Sequence, residues 1–242
     1  MLEVVLIGGP DRETAINIMY AACRQCYYAG FVGEKFPFDD VPFEKKASLV
    51  KEIIASHHDS VAEHCVFTFA IKDLSRAAQQ QLTRHRAGVV FSVQSLRYNN
   101  GNKMGARKAK TIERNPITSE IFDNFINSAV DTYDQLVETG IPKEDARDVL
   151  PLSWNSNLVM TMNCRELIHI FELRMCKRAQ KEIRDLAYAL HKICKERLPE
   201  VFEHIGPKCK QLGYCNEGKR SCGMMPLKED VLKAYQESLQ KE

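Results

Sequence analysis

The residues from Arg84 to Tyr98, RHRAGVVFSVQSLRY, concentrate groups that bind phosphate. Arg84, His85 and Arg86 are consecutive at a predicted helix end, and Ser92, Gln94, Ser95 and Arg97 follow on a β-prone stretch. A guanidinium offers a fork of donors that matches phosphate oxygens, and hydroxyls add neutral donors. Such a set suits a nucleotide monophosphate or a pyrophosphate; a surface arginine cluster paired with acids from elsewhere is the alternative. No Walker or Rossmann glycine fingerprint occurs, so neither ATP in a P-loop nor a Rossmann-bound dinucleotide is supported.

Other segments hold chemistry-bearing residues too. Ser56 to His64, SHHDSVAEH, crowds three His, one Asp and one Glu into nine positions, either as hydrogen-bonding groups before a strand or as metal ligands. Its spacing fits no usual zinc pattern. PKEDARDVLP, from Pro142 to Pro151, sets Arg147 on an amphipathic helix, and Asn163-Cys164-Arg165 opens another helix that runs to Leu173-Arg174. Positions 165 and 169 share a helix face, so Arg165 and His169 can address one ligand together. Cys23 and Cys26 form C-R-Q-C, a redox pair or metal half-site, with Cys23 equally suited to a core. Cys209, Cys215 and Cys222, with His204 nearby, could bind zinc or lie reduced in a loosely ordered tail, since no C-x-x-C pair is present.

Periodicity sets the elements that must position these groups. An apolar strand, Leu2 to Ile7, leads through Gly8, Gly9 and Pro10 to a helix capped by Asp11, with Ala15, Ile18, Met19 and Ala22 on one face. Residues 30–42 read as a loop, Phe43 to Ser56 as a helix, and Cys65 to Lys72 as a strand with Phe67, Phe69 and Ile71 alternating onto one face. A polar helix over Ser75 to His85 runs into the β-prone Val89 to Val93. The second half is mainly helical. Thr118 to Thr139 carries Ile121, Phe122, Phe125, Ile126, Ala129, Val130, Tyr133 and Val137 at helical spacing and ends at Gly140. Shorter helices follow over Pro142 to Val149, Arg165 to Leu173 and Ala179 to Leu198, and a polar helix closes the chain. The expected fold is α+β: a mixed sheet covered by long helices in a single compact domain. Residues 1–205 would carry the chemistry, and 206–242 would form a cysteine-containing tail with a short helix.

Composition narrows the function. The chain has 242 residues, 44% hydrophobic, enough to bury a core without metals or disulfides. A formal net charge of +2 argues against a general polyanion binder, yet nine Lys/Arg fall between Arg76 and Arg114 against one acid, Glu113. Concentrated basic charge on a near-neutral protein points to small phosphorylated ligands, with residues 103–114 alone reading as a solvated basic loop. An RNA-binding module would interleave more aromatics than Phe91 and Tyr98, the two in that stretch. No apolar run is long enough to span a membrane, and MLEVVLIGGPDRET reads as strand and turn rather than a signal peptide. Nine scattered cysteines, an odd number, suit reduced thiols in the cytoplasm.

Taken in order, these segments resemble the flavin-dependent thymidylate synthases. Arg84-His85-Arg86 and Ser95-Leu96-Arg97-Tyr98 fit the two ends of that family's R-H-R…S-x-R-Y signature. The commoner form has a serine where this chain has Val89 and a gap one residue shorter than AGVVFSVQ, with Ser92 the candidate replacement. The resemblance implies an α+β fold like that of the thymidylate-synthase-complementing proteins. It also implies reductive methylation of dUMP to dTMP, with methylenetetrahydrofolate as carbon donor, FAD as cofactor and NADPH as its reductant. By the same resemblance Gln81, Arg84, Ser95, Leu96, Arg97, Arg147 and Arg174 bind dUMP, Arg174 engaging and activating the uracil ring. His58, Ser60, Glu63, Arg84, His85, Arg86, Asn163, Arg165 and His169 would hold FAD; the family more often has Asn at position 169 and His at position 178, here Arg178. No metal is expected, and no nucleic-acid polymer or membrane partner. A homotetramer sharing residues between chains is.

Overall fold

A computed structural model describes residues 2–99 and 104–239; Lys103 of the basic stretch lies outside them. The first half of the chain forms β1 (Glu3–Gly8), α1 (Arg12–Gln25), α2 (Phe43–Ala55), β2 (Val66–Ser75), α3 (Arg76–Leu82) and β3 (Val89–Val93). Then come α4 (Lys110–Glu113), α5 (Pro116–Glu138), α6 (Lys143–Ala146), β4 (Asn155–Asn163), α7 (Cys164–Arg174), α8 (Lys181–Arg197), α9 (Pro199–Phe202), α10 (Lys208–Leu212) and α11 (Lys228–Leu239). Short 3-10 turns occupy Val32–Glu34, Asp59–His64, Arg147–Val149 and Gly218–Arg220. The α+β class with one sheet and long helices is as expected.

The chain forms two compact units, each drawn from separate stretches. The first comprises Met1–Ile7 and Thr68–Thr161, the second Gly8–Phe67 and Met162–Glu242. Four strands lie in the order β1-β2-β4-β3. In β2 the side chains of Phe67, Phe69 and Ile71 are buried, as their alternation predicts. β4 is not assigned by the sequence reading. Its Ser156, Leu158, Met160 and Met162 are buried at a strict period of two, but the buried set itself has no β-branched or aromatic residue and Asn155, Asn157 and Asn163 punctuate the segment, which conceals the strand. Ser156 donates its hydroxyl to Leu74 O and Gln79 Oε1 at 3.3 and 2.8 Å, so its burial leaves no unpaired group.

The other face of the sheet is exposed and apolar in part: Val5, Ile7, Val66, Val90 and Val159 are open to solvent. In the first unit that face carries a shallow pocket of about 510 Å³ lined by Val5, Ala70, Lys72, Ser92, Gln94 and Val159, among others. Thr68 and Thr161, facing each other across β2 and β4, share a hydrogen bond of 2.9 Å.

In the first unit α5 begins with Asn115 as N-cap, accepting from the Ile117 N–H, and Pro116 in its first turn. Its expected apolar stripe is only partly used. Ala129 and Tyr133 are buried, while Ile117, Ile121 and Phe125 stay exposed, a stripe wider than the unit's own core consumes. The basic segment 103–114 departs from a free solvated loop. Lys108 donates to Ser119 Oγ and Asp123 Oδ2 on α5, both at 2.7 Å, and residues 110–113 form α4.

The second unit packs α1 with α2, and α7 with α8. Of the expected face of α1, Ala15 and Met19 are buried and Ile18 and Ala22 half-buried; Ile16, Tyr20 and Cys23 are buried beside them, so the buried side is turned partly round from the expected one. The rotation puts the Tyr20 ring edge-on to Phe38, centroids 5.1 Å apart. Gly9, at φ +136°, is required: a Cβ there would overlap the Phe67 ring. On α8, Ile183, Leu186 and Leu190 are buried, as the three-four spacing predicts. Each such side chain contributes about 1.5–3 kcal/mol by leaving water.

Candidate functional site

The first unit holds the arginine-rich segment. Ser75 caps α3 by accepting from the Ala78 N–H at 3.1 Å, and the helix ends at Thr83, which delivers Arg84, His85 and Arg86. Arg84 and Arg86 are exposed without an acidic partner among the described residues. His85 differs from its neighbours. It is buried, so of these three residues only the two arginines stand in the open. After β3, the Gln94 N–H bonds to Asn157 O at 2.8 Å, and the chain turns at Ser95, whose Oγ accepts from the Arg97 N–H at 3.2 Å. That hydroxyl still has its own proton to donate. Leu96 is buried and anchors the turn, while Arg97 lies outside it, pairing with Glu144 at 2.5 Å and stacking near Tyr98.

Arg147 is half-buried in the 3-10 turn that follows α6. It has a neighbour the sequence reading does not single out. Burial lowers the pKa of Arg76, and the like charge of Arg147 lowers it further. Arg76 donates to Gln79 Oε1 and Gln94 O, both at 3.1 Å, but its Nε is buried with no hydrogen-bond partner. Arg147 has no acidic partner among the described residues. Two like-charged guanidiniums, neither with an acidic partner among the described residues, have the chemistry to receive an anion. Gln81 is half-buried on α3. Ser92, the candidate for the displaced motif hydroxyl, is exposed on β3, and Val89 is half-buried. Arg76 counts toward the basic stretch, but nothing in its spacing marks it as near Arg147.

The second unit assembles a different set. α2 ends in a Schellman motif: the His58 N–H bonds to Ile53 O and the His57 N–H to Ile54 O, both at 3.0 Å, with His57 left-handed at φ +58°. The 3-10 turn Asp59–His64 follows, with His58, Ser60 and Glu63 exposed. Glu63 and Asp59 both meet Arg165 in the first turn of α7, Glu63 by a direct hydrogen bond and Asp59 at 3.8 Å. The hydrogen bond to Glu63, then the charge of Asp59, raises the Arg165 pKa. Asn163 is the N-cap of α7. Its Oδ1 accepts from the Glu166 N–H at 2.8 Å, which uses the oxygen of the amide and none of its N–H donors. His169 lies exposed one turn beyond Arg165, and Arg174 is half-buried in the last turn, where a cation also suits the helix dipole. His58, Ser60, Glu63, Asn163, Arg165 and His169 are thus brought to the 3-10 turn and the start of α7, and Arg174 to the far end of the same helix.

In the first unit, the exposed Arg84 and Arg86 have the donor geometry for a pyrophosphate. In the second unit, the Ser60 hydroxyl and the Asn163 amide offer hydrogen-bonding groups of the kind a flavin ring uses. Of the C-R-Q-C pair, Cys23 is buried in the core, which pushes its thiol up to about 11, and Cys26 is exposed.

The chain matches the family described as Thymidylate synthase complementing protein over residues 11–200. It is 42% identical over 228 residues to a flavin-dependent thymidylate synthase of Nitratidesulfovibrio vulgaris, covering 89% of this chain and 93% of that protein. To the one of Geobacter sulfurreducens it is 38% identical over 219 residues, covering 88% and 90%. In fold it is similar to a UMP/dUMP methylase, PolB from Streptomyces cacaoi, crystallised with 5-Br dUMP. The TM-score is 0.69 at 23% identity, with 84% of this chain and 94% of that chain covered.

Proposed function

The chain belongs to the thymidylate synthase complementing protein family, and on that premise we propose that it is a flavin-dependent thymidylate synthase, converting dUMP to dTMP by reductive methylation. The observation that carries this reading is the acid-free pair Arg76 and Arg147 in the first unit, a site whose like charges are relieved by a phosphate. Arg147, Ser95 and Arg97 grip the dUMP phosphate, Arg97 exchanging Glu144 for it, while Gln81, Leu96 and Arg84 complete the nucleotide site. Arg174 holds positive charge against the uracil ring. It stabilises the negative charge that develops there and so makes the ring carbon nucleophilic without an enzyme nucleophile.

FAD is the cofactor; bound, it supplies reducing equivalents, which NADPH replenishes, and methylenetetrahydrofolate supplies the carbon. Arg84, His85, Arg86, His58, Ser60, Glu63, Asn163, Arg165 and His169 hold it. The chemistry belongs to residues 1–205, and 206–242 is an appendage. The enzyme works as a cytoplasmic homotetramer, which would cover the exposed stripe of Ile117, Ile121 and Phe125 and the open sheet face. Among the described residues no helix is long and apolar enough to cross a membrane.

The test is a product assay with FAD, NADPH, methylenetetrahydrofolate and dUMP, each omitted in turn. Formation of dTMP that needs all four, by a yellow protein, is the expected result. A colourless protein that forms no dTMP but binds nucleotides or RNA would replace this reading with a non-catalytic binding module.

A further inference from the structure

Four cysteines of the second unit line one cavity of about 50 Å³: Cys176, Cys209, Cys215 and Cys222. Cys176 follows α7, Cys209 lies on α10, and the other two lie on the loops after it. The sequence groups the last three with His204. The structure replaces that histidine, which is exposed, with Cys176 from a segment more than thirty residues upstream. The Cys209 pKa is raised, by burial first and then by the charges of Cys176, Cys215 and Cys222, so its three neighbours are close enough to be felt.

The backbone is shaped to bring them there. Gly213, left-handed at φ +72°, ends α10 and turns the chain toward Cys215. The Cys215 N–H bonds to Pro226 O at 2.7 Å, and Cys215 bridges to Leu227, which closes the loop that carries Cys222. Gly218 and Gly223 are left-handed within that loop. The Arg178 N–H points at the Cys176 sulfur, 3.5 Å away, as backbone amides do toward metal-bound thiolates. Arg178 and Lys208 share the lining with Glu172 and Glu217, so apart from the thiols its charges balance. All nine cysteines are free, so no disulfide accounts for the grouping.

We propose that Cys176, Cys209, Cys215 and Cys222 are the four thiolate ligands of a thiophilic metal centre. Their spacing favours a cluster over a single ion. Ligands about 2.3 Å from one tetrahedral zinc lie within ~4 Å of each other. Among the described residues no three of these sulfurs lie within 4.8 Å of one another. A four-iron core, with a metal at each corner, separates its thiolates further and accepts four cysteines. The cavity also exceeds the ~10–15 Å³ that one water-sized occupant needs. Three of its four ligands lie beyond residues 11–200, over which the family match extends, and its role is structural: it ties the last helices to the end of α7.

The 242-residue protein, purified without oxygen, would be analysed for metals and acid-labile sulfide, and again after anaerobic incubation with equal amounts of ferrous and ferric iron plus sulfide, or with zinc alone. About four iron and four sulfide per chain, with a brown charge-transfer spectrum distinct from flavin, is the expected result. One zinc per chain would also support the site, in its single-ion form. Cys222→Ser, at an exposed position, and Cys209→Ser should each lower metal content at least several-fold, while Cys26→Ser leaves it unchanged. Less than 0.1 equivalent of either metal after both incubations would overturn the proposal, as would metal content indifferent to Cys222→Ser and Cys209→Ser.

Discussion

Arg76 and Arg147 in the first unit repel one another with no acidic partner among the described residues, whereas Arg165 in the second unit is held by Glu63 and Asp59. The side chains are the same and their readiness differs. An unpaired pair of guanidiniums stores unfavourable charge that an arriving phosphate relieves, so binding gains what the empty site lacks. A paired arginine must give up its carboxylates before it meets an anion, and the exchange is nearly balanced at an exposed surface. On the proposed reading, the first arrangement grips and the second positions.

The largest break in that contrast would come from Arg174, which shares α7 with Arg165 but is assigned to the reacting ring. Arg174→Ala should lower kcat about 10²–10³-fold while the protein stays yellow, the loss seen when one preorganised charge is taken from a developing anion. Wild-type turnover would remove activation from the account. Arg147→Ala comes next. Losing charge-assisted hydrogen bonds worth about 1.5–3 kcal/mol should raise the KM for dUMP roughly 10–100-fold with FAD affinity intact, and steady-state kinetics separates the two. Glu63→Gln should act more gently. It frees Arg165, so flavin fluorescence titration should show a change of less than about fivefold in Kd, in keeping with an exposed pair; a hundredfold change would mean that the carboxylate itself grips the flavin.

Two controls lie outside both arginine sets. Burial holds His191 neutral, below its ordinary pKa of 6.5. The unfolded chain therefore takes up that proton first, so stability is complete above about pH 6.5 and falls as pH drops through the folded pKa. Chemical denaturation at pH 7 and pH 5 should show it, and His191→Gln should reduce the difference. Smallest of all, His57→Gly relieves a left-handed residue and should raise Tm by a few degrees, from about 1 kcal/mol.

Much of this was legible from local pattern. The alternation in Phe67, Phe69 and Ile71 and the three-four spacing in Ile183, Leu186 and Leu190 give β2 and α8, and Asp11 marks the start of α1 by capping Thr14. β4 was not legible, because its buried methionines and serine carry little β propensity and its remaining positions include three asparagines. The arginine set was visible in composition but not in charge state. Pairing with Glu144 or Glu63 depends on contacts across 47 and 102 residues of sequence, which periodicity cannot report. The same holds for Cys176, whose approach to Cys209 comes from tertiary packing and from no spacing rule.

Strand order carries a consequence for synthesis. β2 and β3 follow each other along the chain, yet β4, made last, takes the place between them. Until Asn163 leaves the ribosome, β3 lacks its sheet partner and β2 has one side unfilled. Such long-range pairing folds slowly and leaves open strand edges to be shielded meanwhile. A nascent chain halted anywhere between Val93 and Asn155 would therefore be a client for chaperones, and a message broken there would yield an aggregating fragment rather than a partial enzyme.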